Sequence, residues 1–117
     1  MGRGQRARGD PRRALVVRGG VYWLELEEEG RRPVCVITRS QAIGPLRNVV
    51  VAQVTGRIRG LVSEVRLGPE DGLPRECVIS LDNLRTVPKA LLVEPITVLT
   101  PDKFAEVCRA LGAASDC

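Results

Sequence analysis

The sequence predicts a mainly β domain, either a barrel or a sandwich, that ends in one α-helix. Three observations support this fold class: six short segments with the apolar or alternating pattern of strands, glycine-containing turns between them, and a separate helical pattern near the C-terminus. Many short strands with frequent turn signals are typical of barrels and sandwiches. With 117 residues the chain supports a single domain, because one core usually serves about 100–200 residues.

The first predicted element is a basic, disordered arm over residues 1–17, ahead of the domain at residues 18–117. The arm is rich in Gly, Arg and Pro and lacks apolar periodicity. The predicted strands then cover residues 21–27, 33–38, 49–54, 62–67, 77–81 and 91–99. Pro95 predicts that the last strand lies at an edge or carries a bulge, because proline cannot donate to a β-ladder.

The last predicted element is a helix over residues 101–111. Thr100 is a capping residue, Pro101 suits the first helical position, and Asp102 is favourable at the positive end of the helix dipole. The apolar residues repeat at the i, i+3, i+4, i+7 spacing of one helix face: Phe104, Val107, Cys108 and Leu111. Gly112 is expected to end the helix.

The net charge of +4 belongs to the N-terminal arm. Residues 1–18 hold six arginines and one aspartate, a net charge of +5, whereas the remainder holds 12 basic and 13 acidic residues, a net charge of −1. Bulk charge therefore gives little support for nucleic-acid binding by the domain. The arm itself is either an RNA tether or a solvated tail.

The residue inventory disfavours several classes of chemistry. The chain has no histidine, and no two of its four cysteines have the C-x-x-C spacing of a zinc site. We therefore predict no metal and no cofactor, and free thiols that are buried at Cys35, Cys77 and Cys108 and exposed at Cys117. No apolar run reaches the ~18 residues that a membrane span needs. We expect a cytoplasmic protein in a reducing compartment.

Three polar side chains are predicted to meet at one rim of the sheet. If the strands pair in sequence order as an antiparallel meander, residue 32 lies opposite residue 55, and residue 61 lies near both residue 55 and residue 82. This pairing would bring together Arg32, Thr55 and Asp82. Rims and their loops are where a β scaffold presents functional groups. Ordinary strand-start and turn residues are the plain alternative.

These three side chains suit RNA cleavage by the ribose 2′-OH, a reaction that needs no metal ion and that DNA cannot undergo. Arg32 offers a planar, permanently charged fork to the phosphate. Thr55 can hydrogen-bond the phosphate or the 2′-OH. Asp82 can accept the proton if burial favours its neutral form.

Four stretches of the chain resemble the MazF/PemK/Kid-type toxins, and they occur in the family's order. They are RGGVYW at residues 18–23, RPVCVI at 32–37, the apolar strand at 49–55 that ends in threonine, and CVISLDNLRTV at 77–87. The resemblance implies an SH3-like antiparallel β-barrel with a C-terminal α-helix, and a homodimer. It also implies a toxin endoribonuclease that leaves 2′,3′-cyclic phosphate and 5′-OH ends, and a cognate antitoxin with an acidic, disordered tail.

The resemblance also implies roles for individual residues. By position, Arg32 and Thr55 match the family's catalytic arginine and threonine, and Asp82 matches a carboxylate that Kid-type members use as a proposed base. Those members carry a catalytic arginine where this chain has Ser80. The candidate RNA contacts are Arg31, Arg39, Arg57, Arg59 and Ser80. These residues predict neither the cut sequence nor whether the substrate is mRNA, tRNA or rRNA.

Two alternatives keep the fold and drop the catalysis. A CcdB-type toxin, which binds DNA gyrase, has a similar architecture, but its terminal helix ends in a tryptophan-bearing contact, whereas this chain ends in AASDC. A non-enzymatic RNA-binding barrel is the second alternative. The chain has only three aromatic residues, which disfavours a protein that holds single strands by base stacking.

Overall fold

The computed structural model describes residues 16–115, in which six strands form one curled antiparallel sheet. The strands are β1 (Gly20–Leu26), β2 (Gly30–Val36), β3 (Asn48–Thr55), β4 (Glu64–Leu67), β5 (Cys77–Pro88) and β6 (Leu92–Val98). Helix α1 (Ser40–Ile43) lies between β2 and β3, and helix α2 (Pro101–Ser115) follows β6. This half-barrel with its C-terminal helix confirms the predicted fold class.

The strand order is β4-β5-β3-β2-β1-β6, so the predicted simple meander is wrong. Strand β5 lies between β3 and β4, whereas the meander placed β4 next to β3. The physical reason is length: β5 has 12 residues instead of the five predicted, and it pairs with all of β3 on one edge and with the short β4 on the other. The prediction for Pro95 is confirmed, because β6 is an edge strand and its pairing with β1 is irregular there.

Both faces of the central strands are buried, which explains their nearly continuous apolar sequences. On β2, Cys35 belongs to the core cluster that includes Val107 and Ala110 of helix α2, whereas Val34 and Val36 belong to a second cluster on the opposite face. Strand β3 alternates in the same way. The sheet is therefore the middle layer, with apolar side chains packed against both of its faces.

Helix α2 begins as predicted but ends later. The Thr100 hydroxyl accepts a hydrogen bond from the Lys103 N–H at 3.2 Å, which confirms the cap. The helix continues through Gly112 to Ser115, so the predicted end is wrong. Beyond the neighbouring backbone of its own helix, no heavy atom lies within 4 Å of the Cβ position of Gly112, so the space beside this residue is open.

The thiol predictions are correct for two of the four cysteines. Cys35 and Cys77 are free and buried, and burial raises the pKa of Cys35 to about 12. Burial, and next the nearby Asp71 carboxylate, raise the pKa of Cys77. Cys108 is exposed, which corrects its placement on the buried helix face; Ala110 is buried instead. Cys117 lies outside the described residues.

Most of the predicted basic arm also lies outside the described residues, which begin at residue 16. Val16 is buried in the second core cluster. The Val17 N–H donates a hydrogen bond to the Tyr22 hydroxyl at 2.9 Å. These two residues pack with the domain, slightly ahead of the predicted boundary at residue 18. Within residues 16–115 we find no helix long and apolar enough to cross a membrane.

Candidate active site

Arg32 and Thr55 line the same cavity at one end of the sheet, and this first cavity has a volume of about 360 Å³. The last recorded pair between β2 and β3 at this end is Val34 opposite Gln53. Two further residues along each strand bring Arg32 opposite Thr55, which is the pairing expected from the sequence. The apolar walls of the cavity come from Trp23, Pro33, Leu73, Pro74 and Ile96.

The two neighbouring arginines of β2 have different partners. The Arg31 guanidinium bonds the carboxylates of Glu25 and Glu94, each at 3.1 Å, and these hydrogen bonds raise the pKa of Arg31. Arg32 pairs only loosely, with its Nε 3.5 Å from Glu29 Oε1. Half of the Arg32 side chain is exposed, so its fork is accessible to an anion in the first cavity.

The Thr55 hydroxyl is oriented by its own loop. Thr55 is the last residue of β3, and its Oγ1 accepts a hydrogen bond from the Arg57 N–H at 3.1 Å. This local bond is typical of a hydroxyl at a turn. Because it uses one lone pair of the oxygen, the hydroxyl keeps its proton for donation and a second lone pair for acceptance.

A second cavity, of about 340 Å³, lies on the other side of Thr55. It is more polar than the first cavity. Its walls come from three sequence regions besides Gln53 and Thr55: the loop after β3, the start of β4, and the middle of β5. The residues from these regions are Arg57, Arg59, Leu61, Glu64, Ser80, Asp82 and Asn83. The structure therefore brings Arg57, Arg59, Ser80 and Asp82 to one cavity, with Thr55 shared by both cavities.

Asp82 reaches the second cavity from a bulge, not from the end of a strand. The pairing between β3 and β5 shifts between Ala52, opposite Leu84, and Gln53, opposite Ser80. The three residues 81–83 are therefore accommodated as a bulge, which re-aims side chains locally. The side chain of Asp82 accepts a hydrogen bond from the buried Ser63 hydroxyl. Asp82 as a whole is exposed, so the burial that would favour its neutral form is missing.

The loop that carries Arg57 and Arg59 is held by a carboxylate. Glu64 Oε1 accepts hydrogen bonds from three consecutive backbone N–H groups, those of Arg59, Gly60 and Leu61, at 3.1, 2.9 and 3.3 Å. Gly60 takes the left-handed φ of 73°, which glycine adopts without strain. Glu64 and Thr55 thus fix the two ends of the loop, and the arginine side chains project from a defined backbone.

The comparisons with known proteins agree with this fold. A family model described as "PemK-like, MazF-like toxin of type II toxin-antitoxin system" matches residues 7–114. The chain belongs to this family. The match leaves the CcdB-type alternative without support.

Relatives of this MazF-like chain cover nearly all of it. It is 45% identical over 105 residues to a probable endoribonuclease MazF5 of Mycobacterium tuberculosis (strain ATCC 25618 / H37Rv), covering 89% of this chain and 96% of that protein. A probable endoribonuclease MazF2 of the same strain is 37% identical over 102 residues, which cover 86% of this chain and 100% of that protein.

Solved structures give the same result. Mycobacterium tuberculosis toxin MazF-mt6 superposes with a TM-score of 0.76 at 33% identity, covering 83% of this chain and 96% of that one. A mycobacterial endoribonuclease in complex with its cognate antitoxin superposes with a TM-score of 0.78 at 26% identity, covering 86% of this chain and 95% of that one.

Two of the predicted RNA contacts, Arg39 and Ser80, differ from the other contacts in where this MazF-like fold places them. Arg39 lies beyond the far end of β2, next to α1, and lines neither cavity beside Thr55. Ser80 is buried, and its Oγ accepts a hydrogen bond from Asn83 Nδ2 at 2.9 Å. Ser80 therefore stabilises the bulge that presents Asp82.

Sequence reasoning missed several residues of the site. Gln53 lines both cavities, and Trp23 and Arg75 line the first. Trp23 lies opposite Pro33 in the β1–β2 hairpin, so the strand register alone would have found it. Arg75 comes from the loop before β5, whose position only the tertiary structure determines. Among residues 16–115, no group of three or more Cys, Asp or Glu residues is arranged to hold a metal ion.

Proposed function

We propose that this chain is an endoribonuclease toxin that cuts single-stranded RNA at a short specific sequence without a metal ion. The observation that carries the proposal is the convergence of Arg32 and Thr55 on one cavity. Membership of the MazF-like toxin family supports the proposal, and so do the relatives named probable endoribonuclease MazF5 and MazF2.

In the proposed reaction the ribose 2′ oxygen attacks the adjacent phosphorus. A 2′-O–P bond forms and the P–O5′ bond breaks, which leaves a 2′,3′-cyclic phosphate on one fragment and a 5′-OH on the other. One proton leaves the 2′-OH and one joins the departing O5′, so no water is consumed. DNA lacks the nucleophile, and the reaction is therefore specific for RNA.

Arg32 would stabilise the charge that develops on the phosphorane oxygens. A guanidinium remains protonated at any relevant pH and offers two parallel N–H groups to two oxygens. A positioned donor of this kind contributes about 10²–10³-fold to a rate when the charge develops only in the transition state. The loose, exposed pair with Glu29 leaves this fork accessible to substrate.

Thr55 would act beside Arg32 as a hydrogen-bond donor. Its Oγ1 is already an acceptor for the Arg57 N–H, which withdraws electron density from the hydroxyl oxygen. The remaining O–H can donate to a non-bridging phosphate oxygen or to the departing O5′. A threonine hydroxyl is not itself a base, so the 2′-OH proton must go elsewhere.

Asp82 is the proposed acceptor of that proton. Asp82 and Glu64 both line the second cavity, but Glu64 is occupied by three backbone N–H groups of its loop. The Ser63 hydroxyl donates a hydrogen bond to Oδ2 of Asp82, while Oδ1 is the oxygen that would meet the 2′-OH. We expect the Asp82→Asn variant to lose about 10²-fold in cleavage rate, the lower end of general-base effects.

The test is incubation of the purified protein with RNA in EDTA, followed by sequencing of the 5′-OH ends. We expect discrete cuts at one short sequence, and near-complete loss of cutting in the Arg32→Ala and Thr55→Ala variants with unchanged circular dichroism. Arg47→Ala is a matched control, because Arg47 is an exposed arginine at the opposite end of the sheet. Full activity of both site variants would refute the assignment of the site. Intact RNA would refute the nuclease.

The proposed partners are a cognate antitoxin and a second copy of this chain. A solved relative is described as an endoribonuclease in complex with its cognate antitoxin, and acidic side chains of such a partner would suit Arg32, Arg57 and Arg59 around the two cavities. Light scattering would test for the homodimer. Neutralisation would be tested by searching beside the gene for a small reading frame with an acidic tail and co-expressing its product, with recovery of growth as the expected result.

A further inference from the structure

One carboxylate oxygen joins two arginines at the edge of the first cavity. Glu29 Oε1 lies 3.5 Å from Arg32 Nε and 3.3 Å from Arg85 Nη1. Glu29 belongs to the acidic turn between β1 and β2, Arg32 to β2, and Arg85 to the far part of β5. Arg85 has no role in the proposed function above. An anion between two guanidinium groups is the arrangement that a bound phosphate also adopts.

The same three side chains line a third cavity, of about 260 Å³, which also includes Gln53. Arg32 and Gln53 line the first cavity as well. The two cavities are therefore contiguous through Arg32. An RNA strand with its scissile phosphate at Arg32 would place its next phosphate in the third cavity. Arg85 lines that cavity but not the first one.

The ion pairs of Glu29 with Arg32 and Arg85 are weak. The exposed fractions of the Arg32, Arg85 and Glu29 side chains are 50%, 48% and 43%. Ion pairs as exposed as these contribute little to stability, because water screens the charges and the long side chains lose freedom. A phosphodiester can displace the carboxylate, because its two non-bridging oxygens share a negative charge and can bond one planar fork in parallel.

We propose that Arg85 is a second phosphate-binding residue and that Glu29 is a built-in anion that RNA displaces from the Arg32–Arg85 pair. The inference rests on the proposed function only in naming an RNA phosphodiester as the ligand. In the free protein Glu29 keeps the two guanidinium groups together against their mutual repulsion. In the complex the carboxylate swings out, the scissile phosphate binds at Arg32 and the next phosphate binds at Arg85.

The test measures affinity for a random-sequence 2′-O-methyl RNA by fluorescence anisotropy over a range of salt concentrations. This RNA has no free 2′-OH and is not cut, so binding is measured apart from cleavage. Glu29→Gln should tighten binding about threefold to fivefold, the equivalent of one exposed ion pair. Glu28→Gln is the matched control: the same charge is lost from the same turn, and Glu28 makes no ion pair among the described residues.

Arg85 is tested by the salt dependence of the same binding. Arg85→Gln should reduce the slope of log Kd against log salt by about 0.7, the contribution of one phosphate contact on a single strand. Arg85→Lys should keep most of the slope but lose part of the affinity, because it retains the charge and not the fork. Thermal melts of each variant establish that the protein is folded. In the Glu29→Gln/Arg85→Gln double variant, the gain from Glu29→Gln should become smaller, because only the Arg32 guanidinium is then released.

Three results would overturn this proposal. The first is a gain for Glu29→Gln no larger than for Glu28→Gln, and the second is an unchanged salt slope in folded Arg85→Gln. The third is a Glu29→Gln protein that cleaves more slowly at unchanged affinity, because Glu29 would then position Arg32 instead of competing with RNA. Failure of the wild-type chain to cut natural RNA would refute the proposed nuclease but would leave these binding results as they are.

Discussion

The two ends of the central strands use their cations in different ways. At the end that bears α1, Lys89 Nζ donates to the carbonyls of Ile43 and Gly44 at 2.7 and 3.2 Å. Arg18 donates to the Ile37 carbonyl at 3.1 Å and lies 4.7 Å from the centroid of the Phe104 ring. At the other end, Arg32 meets one exposed carboxylate, that of Glu29, and the Arg85 guanidinium reaches the same carboxylate from the middle of β5; among residues 16–115 these two arginines have no other ion pair.

This difference separates the cations that stabilise the fold from those that we propose bind RNA. A carbonyl that is part of the folded backbone cannot leave its cation, so Lys89 and Arg18 stabilise the fold. A glutamate side chain in a turn can rotate away, so Arg32 and Arg85 remain available to a ligand. Net charge hides this distinction, because the domain as a whole is close to neutral. The partner of each arginine is more informative than the number of arginines.

The largest expected effect is a loss of cleavage at the functional end. Arg32→Lys retains the charge but removes the bidentate fork, and we expect cleavage to fall about 10²-fold with no change in the melting temperature. Arg18→Lys is the matched control, because Arg18 belongs to the structural end. It should lower the melting temperature and leave cleavage close to normal. Equal effects of the two variants on both measurements would remove the distinction between the ends.

The next effect is a loss of stability at the structural end. Lys89→Met keeps the apolar stem and removes the two hydrogen bonds to carbonyls, so we expect the free energy of unfolding to fall by about 1.5–3 kcal/mol. Urea denaturation measures this change, and cleavage should stay at the wild-type rate when the protein is folded. Unchanged stability would mean that water replaces the ammonium group without cost.

A smaller effect is expected at Glu64, a structural carboxylate that supports the proposed RNA contacts Arg57 and Arg59. Glu64→Ala should release the loop that carries Arg57 and Arg59, and ordering that loop on RNA should then weaken binding by about threefold to tenfold. Glu64→Gln should restore most of the affinity, because its amide oxygen can still accept the backbone hydrogen bonds. Glu76→Ala removes the same charge from an exposed pair with Arg66 and controls for electrostatics. A loss in that control as large as in Glu64→Ala would contradict the role of Glu64.

The smallest expected effect compares two arginines that the sequence alone ranked equally. Arg57 lines the second cavity, whereas Arg39 lies at the α1 end of the sheet. Arg57→Ala should weaken RNA binding by about threefold or more and reduce its salt slope, whereas Arg39→Ala should change the affinity by less than about twofold. A larger loss for Arg39→Ala would show that the RNA path extends along the whole sheet.

The sequence was sufficient for features that depend on local or neighbouring segments. The opposition of Arg32 and Thr55 follows from the pairing of β2 with β3, which are adjacent in the chain and antiparallel. The cap at Thr100 lies within four residues of the N–H it bonds. The buried positions of Cys35 and Cys77 follow from apolar strands that are covered on both faces.

Only the tertiary structure could decide the features that depend on distant segments. The insertion of β5 between β3 and β4 decides which cavity Asp82 reaches, and the bulge at residues 81–83 has no local signal that separates it from continuous strand. Arg85 and Glu29 meet although 56 residues separate them. Local periodicity shows which face of a strand is buried. It does not show which strand lies beside that strand, because strand order depends on the packing of the whole sheet.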